Sequence, residues 1–275
     1  MTATLARTAA LAGLSALVVE VEGKSGIGAI FGRRESLSYD EVPLADGVRG
    51  RTLTPDDALL EYLADHGLKR VSKRLTNSGA LDVVSTAVPG IKDILVLGKV
   101  KQLERAAAAP DVIVLDAPAA GHAVTFLMSA RGLLDAARVG PIRTQAEEVV
   151  ALLSDPARCQ VVLVTLPEET PVNEVVETAF ALEDRVGIKL GPVVVNGLYP
   201  VLDGLSGECA DAAMREAADF RLQRQSLQAA QVARLAEELP LPQLQLPFLF
   251  TPEVGVGELD VLVGAMTGAI EELPS

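Results

Sequence analysis

The sequence has few of the residue types that build metal clusters, disulfide scaffolds and aromatic platforms. Its 275 residues include two cysteines, two histidines and no tryptophan, and aromatic residues make up 3% of the chain. Because Cys159 and Cys209 are the only cysteines and no Cys/His cluster occurs, a disulfide scaffold and a zinc site are excluded. The scarcity of aromatic rings argues against a stacking platform for single-stranded nucleic acid.

Positive charge and long hydrophobic runs are also scarce. The 24 Lys and Arg residues are outnumbered by 37 Asp and Glu residues, which gives a net charge of −13. An acidic surface repels phosphate backbones, so we do not expect nucleic acid as a partner. The most apolar stretch, 8–19, ends at Glu20 and is shorter than the roughly 18 residues of a membrane span. It follows Arg7 as a signal peptide would, but no small-residue cleavage site comes after it, which favours a cytoplasmic chain that does not cross the membrane.

Short, continuous runs of Val, Ile and Leu alternate with stretches of helical spacing along the chain. With 49% hydrophobic and 22% charged residues, the composition is that of a globular protein. This alternation predicts an α/β fold with a doubly wound, mainly parallel sheet, because parallel strands are buried on both faces. Since no Pro- or Ser-rich linker divides the chain, we expect one domain over 1–275 with a small helical insertion at about 55–107. The predicted strands are 17–21, 112–115, 161–165, 192–195 and 244–248, and the predicted helices are 2–12, 55–75, 91–107, 143–153, 172–185, 208–239 and 257–273.

Polar residues follow several of the predicted strands. Glu22 comes after the first strand, Asp116 after the second and Asn196 after the strand at 192–195. Ligands of doubly wound folds bind beyond the carboxyl ends of the strands, so these residues predict a ligand-binding protein. Asp116 has the position of a carboxylate that holds magnesium directly or through water, although an aspartate also simply ends many strands. Taken alone, His122 is more often a structural residue in such a position, and Glu22 alone would be a solvated strand end.

The segment G-K-S at 23–25 has the residues of a phosphate-binding loop but not its spacing. The motif G-x-x-x-x-G-K-[ST] needs a glycine five residues before the second glycine, and that position is Val18 inside a predicted strand. The later glycines of this stretch do not match the dinucleotide-binding spacing either. The 275 residues therefore contain no Walker A motif.

The segment after the second predicted strand, D-A-P-A-A-G-H-A-V-T-F-L at 116–127, is the most specific of the segments that follow the strands. Together these segments resemble the ArsA/GET family of arsenite-pump ATPases and tail-anchored-protein-targeting ATPases, in its actinobacterial type. D-A-P-A-A-G-H-A-V-T-F-L at 116–127 resembles the family's switch II, D-T-A-P-T-G-H-T-L-R-x-L. The stretch 22–31 occupies the place of switch I, and P-G-I-K-D at 89–93 resembles the P-G-I-D-E segment. V-V-N at 194–196 resembles the strand with an adenine-reading Asn, and L-P-F at 246–248 resembles the late nucleotide-contacting loop.

The resemblance implies a P-loop NTPase-like fold that binds ATP with Mg²⁺ and couples ATP hydrolysis to a conformational change of a dimer. By this resemblance Glu22 and Asp116 are catalytic, and Asp116 also holds the metal. The residues implied to contact the nucleotide are Gly121, His122, Asn196 and Pro247. The implied partners are a second copy or a paralogous ATPase, together with a client protein or an anion.

The sequence also departs from the family. Glu22 stands where the family has an aspartate, the C-x-x-C pair is absent, and four methionines are too few for a Met-rich client groove. The chain begins in what resembles the middle of the family's first helix, so the first strand and the phosphate loop are missing. In the family that strand lies beside the one that ends at Asp116. We therefore expect an edge beside 112–115 that is exposed or filled by a neighbouring strand.

Three interpretations follow from the missing loop. The first is an ATPase whose recorded sequence starts too late. The second is a catalytically inactive pseudo-ATPase subunit that pairs with an intact paralogue. The third is an unrelated α/β enzyme that binds a different anionic ligand, although no strand end supplies the Ser or Cys nucleophile of a hydrolase.

Overall fold

The computed structural model describes residues 1–21, 26–65, 67, 90–136, 138–205, 207 and 211–273. Helices and mainly parallel strands alternate in it, which confirms the predicted α/β class. The described residues form two compact units, and the strands form one sheet in each. The first unit comprises Met1–Gln160 with Leu182–Lys189, and the second comprises Val161–Ala181 with Leu190–Ser275.

Within the described residues, the sheet of the first unit has four strands in the order β2-β3-β1-β4. Its central strand β1 pairs in parallel with β3 and β4, and residues 17–19 of β1 are fully buried. β2 and β3 form an antiparallel hairpin that turns at Gly47, whose φ of 72° suits a glycine in a tight turn. This hairpin is not among the elements predicted from the sequence. The strands are β1 Ala16–Val21, β2 Val42–Ala45, β3 Val48–Leu53 and β4 Val112–Asp116.

The strand β4 lies at the edge of this sheet. Within the part of the chain that the structure describes, β4 pairs only with β1. Its residues Val112–Asp116 are all half-exposed although four of them are apolar. The expected open edge beside 112–115 is therefore present.

Among its described residues, the first unit also contains six helices and one π-helical turn. Helix α3 begins as predicted, with the Thr54 hydroxyl accepting a hydrogen bond from the Asp57 N–H (3.1 Å), and it ends at Asp65. Most of the rest of the predicted helix 55–75 lies outside the described residues. The described residues that follow the G-K-S segment include a short helix, Ile27–Ile30. The helices are α1 Thr2–Leu11, α2 Ile27–Ile30, α3 Pro55–Asp65, α4 Ile91–Glu104, α5 Ala120–Ala136 and α6 Pro141–Leu153, and the π turn is Leu182–Val186.

The sheet of the second unit has three parallel strands in the order β5-β6-β7. The strand predicted at 161–165 is only two residues long, and Val161 makes only an isolated bridge to Leu190. This strand lies at the edge of the sheet and has a single described neighbour. The strand predicted to end before Asn196 runs through it to Leu198, because pairing with β7 resumes there after a register shift. The elements are β5 Val164–Thr165, β6 Val193–Leu198, β7 Gln243–Pro247, α7 Glu169–Ala181, α8 Ala212–Glu238 and α9 Val256–Glu271.

The long helix α8 is largely exposed, as predicted, and buries only Gln228 and Leu235. Among the described residues, no helix combines the length and the apolar character needed to cross a membrane.

Candidate functional site

Two carboxylates lie side by side at the carboxyl ends of β1 and β4. Glu20 and Asp116 are register partners in the parallel ladder. Glu20 is 1% exposed, and its two oxygens accept hydrogen bonds from the Ile27 N–H (3.0 Å) and the Thr52 hydroxyl (3.1 Å). The first bond holds the start of α2 against the end of β1. Glu20 is thus a buried and satisfied carboxylate.

From the sequence alone, Glu20 is only the residue that ends the apolar stretch 8–19, and no role follows for it. Glu22 itself lies outside the described residues. The signal that identifies Glu20 is its register with Asp116, which becomes visible only when β1 and β4 are placed next to each other.

Asp116 is half-exposed and has a polar neighbour at the start of the chain. The Thr2 hydroxyl donates a hydrogen bond of 2.7 Å to Asp116 Oδ1. Burial lowers the pKa of the Met1 α-amine, while the negative charge of Asp116 opposes this shift. The start of α1 and the end of β4 therefore meet at Asp116.

A cavity of about 460 Å³ opens beside Asp116. Its wall combines a carboxylate and a hydroxyl with the first turn of α1, where helix N–H groups favour negative charge. Oxygen donors of this kind are the ligands that Mg²⁺ prefers, and Mg²⁺ is often held by one or two carboxylates and several waters. The Asp116 carboxylate and the Thr2 hydroxyl therefore fit a hydrated magnesium ion, whereas the start of α1 fits a negatively charged group. The lining residues are Met1, Thr2, Ala3, Gly26, Ile27, Ile30 and Asp116.

Gly121 and His122 lie in the first turn of α5, shortly after Asp116. Both are exposed, and the His122 N–H donates to the Ala119 carbonyl (2.8 Å). The described lining of the cavity includes neither of them. Within the described residues, no three His, Cys, Asp or Glu side chains group as metal ligands.

In the second unit, Asn196 and Pro247 belong to neighbouring strands at the carboxyl edge of the sheet. Asn196 is half-exposed, and no hydrogen bond to its side-chain amide occurs within the described part of the chain. Pro247 pairs with Leu198 in the ladder, and the Phe248 N–H donates to the Leu198 carbonyl (2.7 Å). The structure thus brings both sequence-predicted residues to one edge, with the Asn196 amide available to a ligand.

An aromatic cluster that the sequence analysis missed lies at the same edge. The rings of Tyr199, Phe248 and Phe250 have centroids 4.8 to 5.2 Å apart. The Arg221 guanidinium lies 4.9 Å from the Phe250 ring centroid and 5.3 Å from that of Tyr199. Because these residues come from two different strand ends and from α8, no local sequence pattern connects them.

A second cavity of the first unit, of about 430 Å³, lies between α3, α4 and α6. Lys101, whose side chain is 7% exposed, donates to Gln145 (2.9 Å) and pairs with Glu148. The hydrogen bond from Lys101 holds the pKa of Glu148 below its ordinary value. The buried ammonium thus has two partners within the fold, which indicates a structural network.

No protein-family model matches the chain. Among curated proteins, the chain is similar to the ATPase BagA of Mycobacterium tuberculosis and to a provisionally named ATPase of Mycobacterium bovis, each 34% identical over 209 residues. Each alignment covers 72% of this chain but only 61% of the relative, so the chain spans less than two thirds of these relatives. It is also similar, at 27% identity over 166 residues, to a provisionally named arsenical pump-driving ATPase of Halobacterium salinarum, with 58% of this chain and 24% of that protein covered.

Proposed function

We propose that this chain is part of an ATP-binding, ATP-hydrolysing protein of the ArsA/GET type, which uses Mg²⁺ and in which the nucleotide state sets the conformation of a dimer. The observation that carries the proposal is Asp116, which ends β4 and lines a cavity together with Thr2. The similarity to proteins named as ATPases supports it. On this proposal the whole of 1–275 is one NTPase-like domain with a helical insertion at about 55–107.

Asp116 and Thr2 would hold the magnesium ion, either directly or through water. When bound, the ion neutralises the charge that develops on the transferred phosphoryl group. Glu22 orients the attacking water, a role in which its carboxylate replaces the aspartate of the resembled family. Glu20 keeps β1 and the start of α2 together and so fixes the two ends of the Glu22 segment. Gly121 and His122 contact the phosphates from the first turn of α5.

The base of the nucleotide is read at the edge of the second unit. The Asn196 amide can pair with the amino group and a ring nitrogen of adenine, as amide side chains do with adenine in DNA. Pro247, in the next strand, contacts the base. Both roles are supported by the position of the two residues on adjacent strands and by the unengaged Asn196 amide.

The triphosphate needs a phosphate-binding loop, and the 275 residues contain none. We propose that a longer form of the chain supplies it. The missing loop also favours a second candidate, an inactive binding subunit that pairs with an intact paralogous ATPase. Further parts of the proposal are a cytoplasmic location, a client protein or anion as cargo, and no nucleic acid partner.

The test translates the reading frame upstream of Met1 and compares ATP turnover of the extended and the 275-residue chain. The extended chain should hydrolyse ATP, and Asp116→Asn in it should abolish turnover more than it weakens nucleotide binding, because an amide cannot replace the carboxylate charge. Asn196→Ala should weaken ATP binding without abolishing turnover at saturation. Unchanged turnover in the Asp116→Asn variant would remove Asp116 from the site. An upstream frame without a phosphate loop would favour the inactive subunit.

A further inference from the structure

One face of α8 holds the backbone that directly follows Asn196. The side chains of Arg221, Gln225 and Gln228 are spaced four and three residues apart, so they lie on the same side of the helix. Arg221 and Gln225 both donate to the Pro200 carbonyl, at 2.8 and 2.9 Å. Three polar side chains of one helix are thus aimed at one short stretch of backbone.

Of these three side chains, Gln228 binds the backbone nearest in sequence to Asn196. Its Nε2 donates to the Gly197 carbonyl (3.0 Å), and its Oε1 accepts from the Tyr199 N–H (2.9 Å). Gln228 is 4% exposed, although nearly all of α8 is accessible. Both ends of a buried amide are therefore used on the two sides of Leu198, within three residues of Asn196.

The backbone held in this way has an unusual conformation. Gly197 has a φ of +81°, in the left-handed region that favours glycine. A Cβ atom built there would lie 3.5 Å from Leu166 Cδ2 and 3.7 Å from Phe248 Cδ2, so the peptide also packs against its neighbours. This conformation sets how the strand continues directly after Asn196, since the two residues share a peptide unit.

We propose that Gln228 is a positioning residue for base recognition by Asn196. The inference rests on the proposed role of Asn196 in reading the base. Discrimination between a 6-amino and a 6-oxo purine requires the Asn196 amide to meet the base edge at a defined place, because the two bases present opposite hydrogen-bonding groups there. Gln228 contributes to this placement by holding the backbone at Gly197 and Tyr199, without touching the ligand.

The test measures the binding of adenosine and of inosine, two nucleosides without phosphates, by saturation-transfer NMR on the full 275-residue chain. Because neither ligand carries a phosphate, the result does not depend on a phosphate-binding loop. The variant Gln228→Met removes both hydrogen bonds and keeps a side chain of similar length. We expect the wild-type chain to prefer adenosine, and Gln228→Met to lose about tenfold in adenosine affinity with little change for inosine, as expected for the loss of orienting hydrogen bonds.

The matched control is Gln243→Met. Gln243 also joins a strand to α8, with its Nε2 donating to the Val232 carbonyl (3.2 Å), but it lies at the start of β7 rather than at the carboxyl edge. This variant loses a similar side-chain bond and should keep the ratio of adenosine to inosine affinity. If Gln228→Met does not fold, Gln228→Glu takes its place, since it keeps the acceptor for Tyr199 and loses the donor to Gly197; it should lower the ratio.

The outcomes distinguish a failure of the positioning role of Gln228 from a failure of the base site at Asn196. A wild-type preference for adenosine that persists in the Gln228 variants overturns the positioning role and leaves the base site intact. A wild-type chain that binds both nucleosides equally, or neither, refutes the base site at Asn196 and this inference with it. A ratio that falls equally in Gln243→Met shows a general effect of weakening α8 and also overturns the inference.

Discussion

The open edge of β4 allows a quantitative prediction about stability. The Val112 N–H donates to the Ser15 carbonyl (3.0 Å), so residues 112, 114 and 116 direct their backbone groups towards β1. Along a parallel ladder these directions alternate, and Ile113 and Leu115 therefore direct theirs to the open edge. Two N–H and two C=O groups would be satisfied by a strand added there. At about 1 kcal/mol net per hydrogen bond, they contribute about 4 kcal/mol.

The perturbation is an N-terminal extension that carries an apolar strand and a linker long enough to run parallel to β4. We take burial of the added side chains to offset the entropy of ordering the new strand. Stability should then rise by about 4 kcal/mol, which corresponds to an increase in Tm of roughly 8–16 °C for a chain of this size. Thermal unfolding followed by circular dichroism measures the shift.

The control extension has the same length but carries proline at the positions that would donate to β4, because proline has no N–H for the ladder. It should leave Tm nearly unchanged. An equal rise with both extensions, or no rise with either, would show that the stability of the chain does not depend on completing this edge.

Three further predictions follow from the site and its surroundings. The 275-residue chain alone should bind ATP·Mg weakly or not at all, because it lacks the phosphate-cradling amides and lysine; tight binding in isothermal titration would contradict this. Glu20→Ala should lower the free energy of unfolding by about 2–4 kcal/mol, because it leaves the Ile27 N–H and the Thr52 hydroxyl without their acceptor. The control Glu216→Ala, at an exposed position, should change this free energy by less than about 0.5 kcal/mol. Urea unfolding measures both. The hydrogen bond from Lys101 depresses the pKa of Glu148 in the folded chain, so its contribution is present above the ordinary value of 4.5 and is lost as the pH falls through the lower folded value; the urea midpoint of Glu148→Gln should accordingly fall less between pH 6 and pH 3 than that of the wild type.

The elements that the sequence predicted well are those with a continuous local signal. The strands β1 and β4 are runs of apolar residues, and α3 begins with Thr54 and two acidic residues. The hairpin of β2 and β3 was missed because Arg49, Gly50 and Arg51 interrupt β3. Arg51 is nevertheless buried, with Glu41 at 3.7 Å and the Tyr39 ring centroid at 4.5 Å. Partners from other elements compensate its charge, and no local pattern contains them.

The residues of the candidate site likewise fall into those with a local sequence signal and those that only the fold identifies. Asp116 and Asn196 could be selected from the sequence because each occurs in a run of strand residues followed by a polar or glycine-rich segment. The alternation of side chains along a strand does not distinguish Glu20 from Glu22, because residues two positions apart point to the same face. Only the register with β4 places Glu20 beside Asp116. Gln228 is an ordinary helix residue in sequence, and its two bonds to Gly197 and Tyr199 span about thirty residues.

The division of the chain into its two units determines how the molecule can be dissected. The first unit ends at Gln160 but takes in Leu182–Lys189 after α7, and Leu182 and Val186 of that return segment are almost completely buried. A cut at residue 160 therefore removes Leu182 and Val186 from the core of the N-terminal fragment. In the C-terminal fragment the same two apolar side chains become exposed to solvent. Expression of either half alone should yield insoluble protein, whereas a split inside the exposed α8 leaves the first unit covalently whole. Any deletion series or two-fragment reporter built on this chain should place its break there.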